Sequence, residues 1–407
     1  MTANSDRLKN DKLQHHVELP DLHVLHLFHV FLNATENWAF NLIHHLPNVQ
    51  TTIASKRFIP CNFYSSDFEF IEFPFKKIDN PKRLLGLKMA NGLTGFFQRF
   101  YPGYIASNID KCDLMHSHFA VVGWEYMKLA KRLNIPHIVS FYGADYEHYP
   151  YLQPVWHKRY QQLFKSADLF LCEGTHGARI LKKIGCPPEK IQVARLGVEV
   201  QHIAFQNRVK NSGELNLLQI ATMTEKKGHI HSVKAFVLAL KNAPNMTLTL
   251  VGKDKNSLKP TLEKIIKTEK CEDRVFFLDQ IDFNHLHDFM KNYHVFIHPS
   301  QFTDEKDCEG GAPIVLLDAQ ATGMPVISTT HCDIPDEIIH HQTGLLSPEK
   351  DTSDLSVSIQ KFYHMDQTEF DSYAKNGRTH VEQHYDIASN AKRLRDIYDE
   401  VLADRIS

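Results

Sequence analysis

The chain has 407 residues, of which 43% are hydrophobic and 23% charged, with a formal net charge of −2. That length allows two or three domains with sizeable cores, and the near-neutral balance excludes a bulk field that would recruit nucleic acid. The seven cysteines include no CxxC pair, which excludes a zinc ribbon or a disulfide scaffold and implies a reducing, cytoplasmic setting. The polar start, MTANSDRLKNDKLQHH, has no signal core, and no run of about 18 apolar residues follows.

In chain order, residues 1–20 read as a loosely attached arm. HVLHLFHVFL (23–32) reads as a buried strand, and residues 35–46 as a helix with Trp38, Leu42 and Leu46 at four-residue steps. VQTTIASKRF, rich in β-branched residues, follows as a strand. Residues 74–104 mix Lys76, Lys77, Lys82, Arg83, Lys88 and Arg99 with Leu84, Phe96, Phe97 and Phe100. Two readings stand for this stretch: a core-packing helix pair with a solvated basic edge, or a peripheral contact through 74–100 with an anionic membrane surface or a lipid-linked acceptor.

From residue 113 strands and helices alternate: DLMHSHFA, VGWEYMKLAKRLN, HIVSFYG, WHKRYQQLFKSA, DLFLCEG, GARILKKIG and KIQVARLGV. Such alternation predicts a parallel sheet covered on both faces. Periodicity lapses over 201–213, which places an interdomain linker there. A second alternating series then runs from NLLQIATM to PVISTT, and residues 366–405 read as a helical tail. The fold class is therefore α/β with two successive Rossmann-like halves, whose ligands bind beyond the carboxyl ends of the strands. Neither half contains GxGxxG, GxxxxGK[ST] or HExxH, which disfavours dehydrogenase, P-loop and zinc-protease chemistry.

Residues 304–348 carry the most chemistry. A strand ending at Pro299 leads into an acidic, glycine-containing loop, and a helix is predicted from Pro313. Gly310, Gly311 and Ala312 leave the backbone open to a ligand, and amides at a helix start hold phosphate. Glu309 and Asp318 flank the element, and carboxylates accept hydrogen bonds from vicinal sugar hydroxyls. The histidine doublets lack the spacing of a metal site, and Cys308 reads as a packing residue.

With EGGAPIVLLDAQATGMPVIST in view, the chain resembles the family 4 retaining glycosyltransferases, two-Rossmann (GT-B) enzymes with a Glu-x7-Glu donor motif. THCDIPDEI…TGLLSP, TMTEKKGHIHSVKAF (222–236), HSHFA (116–120), SFYGADYE (140–147), LCEGTHGARILKKIGCPPEKIQVARLGVEV (171–200) and FLNATENW (31–38) extend the likeness over nearly the whole chain. It implies an acceptor domain at 1–205, a donor domain at 206–375 and a C-terminal helix at 376–407 that crosses back to the first domain. It also implies a nucleotide-sugar donor, a saccharide or lipid-linked acceptor in surface polysaccharide or lipopolysaccharide synthesis, and no cofactor or metal. Carried onto this sequence, the catalytic residues are Glu309, Lys227, Tyr142, Asp145 and His118. The donor contacts are Thr222, Lys226, Lys227, Gly252, Glu309, Gly310, Gly311, Ala312, Pro313, Ile314 and Asp318. The acceptor contacts are Asn33, Glu36, His118, Tyr142 and Gly143.

Three departures mark this sequence. Glu309 and Asp318 stand nine apart instead of eight, with the extra residue in the glycine loop. Thr222 occupies the family's arginine position, leaving Lys227 as the clear diphosphate cation. Tyr142 replaces the usual histidine before Gly143, and a phenol is a poor acid or base near neutral pH. These departures keep one other reading in view, a non-catalytic sugar-nucleotide-binding subunit of the same fold.

Overall fold

Strands covered on both faces lose contact with water everywhere, so they read as continuous apolar runs. The computed structural model describes residues 21–32, 36–59, 68–72, 100–211 and 213–405, and there these runs form two parallel sheets. The first contains β1 (Leu22–Phe28), β2 (Val49–Ser55), β3 (Glu69–Glu72), β4 (Leu114–His118), β5 (His137–Ser140), β6 (Leu169–Cys172) and β7 (Ile191–Val193) in the order β3-β2-β1-β4-β5-β6-β7. The second contains β8 (Leu215–Ile220), β9 (Met246–Val251), β10 (Val275–Leu278), β11 (Val295–His298), β12 (Val326–Thr329) and β13 (Gly344–Ser347) in the order β10-β9-β8-β11-β12-β13. Each order reverses direction once, between β1 and β4 and between β8 and β11, and a crevice opens at such a switch point. The edge strand β3 falls outside the sequence expectations, because only Ile71 of its four residues is buried.

The second domain's core joins Leu217, Leu248 and Ile297 to Phe236, Phe362 and Phe370 from flanking helices. The expected linker is held firmly at its middle. Arg208, 6% exposed, donates through Nε to the Tyr293 carbonyl at 2.9 Å and through Nη2 to Thr322 Oγ1 at 2.9 Å. Lys210 Nζ donates to the Tyr363 carbonyl at 2.9 Å. Buried cations satisfied by carbonyls tie the segment to the second domain.

The helical tail is two helices. Gln367–His384 contributes Phe370 and Tyr373 to the second core. The chain then crosses at Tyr385 and Asp386, later than the 376 boundary expected from sequence. There the Val198 N–H donates to the Tyr385 carbonyl and the Ile387 N–H to the Val198 carbonyl, both at 3.0 Å. Asp386 caps the last helix, Ile387–Ala403, by accepting from the Ser389 N–H at 2.9 Å. That helix buries Leu394, Ile397 and Tyr398 against Leu22, Val24 and Ile138 of the first domain. Leu394→Ala, at a side chain 1% exposed, is expected to cost about 2–5 kcal/mol, read as a lower denaturant midpoint.

Candidate active site

The loops after β5 and β6 meet the loops after β11 and β12, so the two sheets face each other with their carboxyl ends. The contact is backbone on backbone. A Cβ on Gly310 would lie 1.8 Å from the Gly143 Cα, and one on Gly143 would lie 2.9 Å from the Glu309 carbonyl oxygen. Gly310 has φ +82°, a conformation glycine takes without penalty.

Lys227 reaches the seam from a short turn, Glu225–Lys227, after β8. Gln219 Nε2 donates to the Lys227 carbonyl at 2.8 Å and the Gln301 N–H donates to the Lys226 carbonyl at 2.9 Å, which fixes the turn. Gly228, at φ +70°, closes it against Pro299, whose carbonyl oxygen would lie 1.9 Å from a Cβ there. Lys227 Nζ then pairs with Glu309 Oε2 at 2.7 Å, and Lys226 Nζ with Asp307 Oδ1 at 3.1 Å. Burial raises the Glu309 pKa, but Lys227 and Lys226 outweigh it and hold the carboxyl at about 2. His298, 4.0 Å from Glu309 Oε1, is kept neutral by burial and by Lys227, at about 3.

Glu309 is also seated from behind. Its N–H donates to His331 Nε2 at 3.1 Å, so Nδ1 carries the proton that His331 gives to Glu349 Oε1 at 2.8 Å. Asp318 points elsewhere: its Oδ1 accepts from His287 Nε2 at 2.8 Å. Sequence reasoning missed His287, His331 and Glu349. Their parts depend on pairings across loops, and no local spacing announces them.

The glycine loop differs from expectation in one respect. The helix is Val315–Ala321, so Gly310–Pro313 precede it by more than Pro313 at its first turn would suggest. Thr222 lies in the loop after β8, where its carbonyl accepts from the Thr224 N–H at 2.8 Å. Gly252 lies beneath that loop at φ +147°, and a Cβ there would meet the Ala221 carbonyl at 1.9 Å.

On the first domain, Tyr142 turns its phenol inward, 3.0 Å from His118 Nδ1. Its ring lies 4.5 Å from that of Trp38, and Glu36 is close enough to act on its charge. Asp145 is fully buried. Its Oδ2 accepts from the Ala120 N–H at 3.0 Å and the Tyr142 N–H at 3.1 Å, and burial pushes its pKa up to about 7 against those amides. His118 is buried too, with Nε2 3.0 Å from His26 Nδ1. His26, His116 and His118 bring ring nitrogens within 4.8 Å of one another. Burial, first, and their mutual proximity hold His116 and His118 well below the usual histidine range. His116 spends its nitrogens on Tyr398 Oη at 2.6 Å and Ser140 Oγ at 2.7 Å. The structure thus brings Lys227, Glu309, Gly310 and Gly143 together at the seam, and keeps Asp145 and His118 behind it. Asn33 and residues 74–99 lie outside the described residues.

Two parallel α/β domains that meet at their strand ends, with a lysine-bound glutamate on the second, have the GT-B architecture of glycosyltransferases. A profile described as glycosyl transferases group 1 matches residues 200–380, and one for glycosyltransferase family 4 matches residues 61–202, so the chain belongs to this glycosyltransferase family. It is 30% identical over 263 residues to the amylovoran biosynthesis glycosyltransferase AmsK of Erwinia amylovora, a match spanning 63% of each chain. It is 28% identical over 294 residues to WcaL of Salmonella typhimurium, named for colanic acid biosynthesis, covering 71% of each. Sucrose-phosphate synthase of Thermosynechococcus elongatus superposes with a TM-score of 0.74 at 17% identity, over 94% of this chain and 100% of that one. Anabaena HepE in complex with UDP and glucose gives 0.66 at 14% identity, over 93% and 100%. Among the described residues no helix is long and apolar enough to cross a membrane.

Proposed function

We propose that the chain transfers a hexose-type sugar, with retention, from a nucleoside diphosphate sugar to a saccharide or lipid-linked acceptor during assembly of a surface polysaccharide. The part-buried Lys227–Glu309 pair at the seam carries this reading. Supporting it are relatives named for colanic acid and amylovoran biosynthesis, and a structural neighbour that holds UDP and glucose. The main charge to stabilise is the one that develops on the departing diphosphate. Lys227 faces that charge from the β8 loop, with the amides of the Gly310–Ala312 loop beside it. Glu309 orients the transferred sugar through its remaining oxygen, while Asp318, aligned by His287, takes the ribose. Tyr142, Asp145 and His118 form the wall that presents Gly143 to the donor loop. A side-chain cation at the diphosphate supports a reaction without a metal, and turnover in excess EDTA tests that step.

The experiment for the whole reading is a thermal-shift screen against UDP, GDP, ADP, CMP and their sugar conjugates. A ligand at about 100 times its Kd should stabilise the fold by about 2.7 kcal/mol. One nucleotide and its sugar conjugate raising the Tm, with the conjugate releasing the nucleoside diphosphate when acceptor glycan is added, is the expected outcome. Binding without turnover would favour the non-catalytic subunit, and no shift with any nucleotide would remove the donor assignment.

A further inference from the structure

The donor loop is touched from the first domain by a side chain that no step above uses. Glu173 follows β6, and its carboxyl occupies the space a side chain on Gly311 would need, with Oε2 2.3 Å from the position of a Cβ there. The same carboxyl lines a cavity at the seam with Ala312, Asp333 and Glu337. We propose that Glu173 is a positioning residue which holds the donor loop in the closed molecule, and that it does so as the neutral acid, so that closing the two domains takes up a proton.

The titratable groups that act on it most are acids. Asp145, Tyr142, Tyr146 and Cys172 face it from its own domain, and Glu309 from the donor loop. Asp333, Asp336 and Glu337 face it from the loop and short helix after β12. Of the cations nearby, Lys227 is paired with Glu309 and Arg179 Nη2 lies 3.0 Å from His176 Nδ1, while Arg195 lies 5.9 Å over the Tyr385 ring with its Nε buried and without a hydrogen-bond partner. Asp336 and Asp333 are committed to the closed contact. Asp336 accepts from the Thr175 N–H and Oγ1, both at 2.8 Å, and Asp333 accepts from the His176 N–H at 2.5 Å. Asp333 Oδ2 and Glu337 Oε2 are buried without a hydrogen-bond partner. A further carboxylate brought against this group meets repulsion in a poorly solvated seam, whereas a carboxylic acid does not. Burial, then Asp333, Glu309 and Asp145, push the Glu173 pKa well above its usual value.

The sign follows from linkage. The closed form binds the Glu173 proton more tightly than the open form, so closure is at full strength below the ordinary carboxyl range. It weakens as pH rises from there towards the raised value, with the closed-to-open ratio falling up to about tenfold per pH unit for one proton. Although the inference takes the seam as the closed form of the proposed transferase, its test needs no substrate, so failure of the donor screen leaves it standing and the reverse also holds. Small-angle X-ray scattering of the full chain from about pH 5 to about pH 9 should show the radius of gyration growing as pH rises. Glu173→Gln, isosteric with the neutral acid, should expand far less than the wild type, any residual expansion belonging to Asp333 and Glu337, and Glu173→Asp, which keeps the charge, should still expand. A wild type of constant size, or a Gln variant that expands like the wild type, overturns the proposal. Matching behaviour of the Gln and Asp variants would reduce Glu173 to packing and overturn it as well.

Discussion

Lys227→Ala is expected to lower donor turnover by about 100- to 1,000-fold or more, the scale seen when one preorganised electrostatic donor is removed. The loss has two sources, and they are separable. Lys227 opposes the proposed diphosphate, and it also neutralises Glu309, whose side chain is 7% exposed. Removing one partner of a fully buried pair costs about 3–5 kcal/mol; this pair is part-buried, with the Lys227 side chain 20% exposed, so the loss should fall below that range. Lys226 offers limited relief, because it is paired with Asp307. Lys227→Ala with Glu309→Gln should therefore recover most of the lost stability and none of the activity. The pH dependence has a definite sign. The native Glu309 carboxyl sits at about 2, below its unfolded value, so its stabilisation is present above the ordinary range and fades as pH falls towards 2. In Lys227→Ala the largest of the influences that hold the proton off is gone and burial counts for more, so stability should fade less on acidification than in the wild type. Denaturant unfolding across pH, beside steady-state turnover, reads both halves. A single variant that matched the double variant in stability would show that the pair contributes no such energy.

What the sequence disclosed and what it hid divide along physical lines. Runs such as LHLF, LFLC and VFIH announced parallel strands because both faces of each sheet are covered. Lys227 was read through the family resemblance and Glu309 from the acidic, glycine-containing loop that carries it, but the 2.7 Å pairing of the two could not be read, since it joins the turn after β8 to the loop after β11. The Tyr142 departure was visible as a residue change, but the inward turn of its phenol onto His118 was not, since that contact joins β4 to the loop after β5. Glu173 was read only as part of a resemblance, because its significance lies in the opposite domain. The break in the tail did carry a sign, Asp386 three residues before Ser389, a helix-start pattern hidden inside an otherwise helical stretch.

The second large effect is expected at Gly310, where the substitution adds one methyl group. Gly310→Ala should reduce kcat by about 100-fold or more, the scale attached to misplacement of reacting groups by an ångström, while the fold loses only about 1–2 kcal/mol from the left-handed backbone. The separation between those two numbers comes from where the methyl group points. At φ +82° its carbon would stand 1.8 Å from the Gly143 Cα and 2.2 Å from the Gly143 nitrogen, against backbone that has no rotamer with which to yield. Carbon atoms need about 3.5–4.0 Å, so the domains must part or the donor loop must deform. Within the second domain, nothing comparable obstructs the methyl group: the three nearest atoms all belong to Gly143. Nucleotide binding to the second domain alone should therefore persist with kcat lost. Gly143→Ala makes a looser contact, 2.9 Å to the Glu309 carbonyl oxygen, and should lie between wild type and Gly310→Ala. If Gly310→Ala turned over at the wild-type rate, the backbone contact between the domains would not be part of the catalytic form. If nucleotide affinity fell in step with kcat, the damage would lie within the donor loop itself, and closure would not be the step that the methyl group blocks.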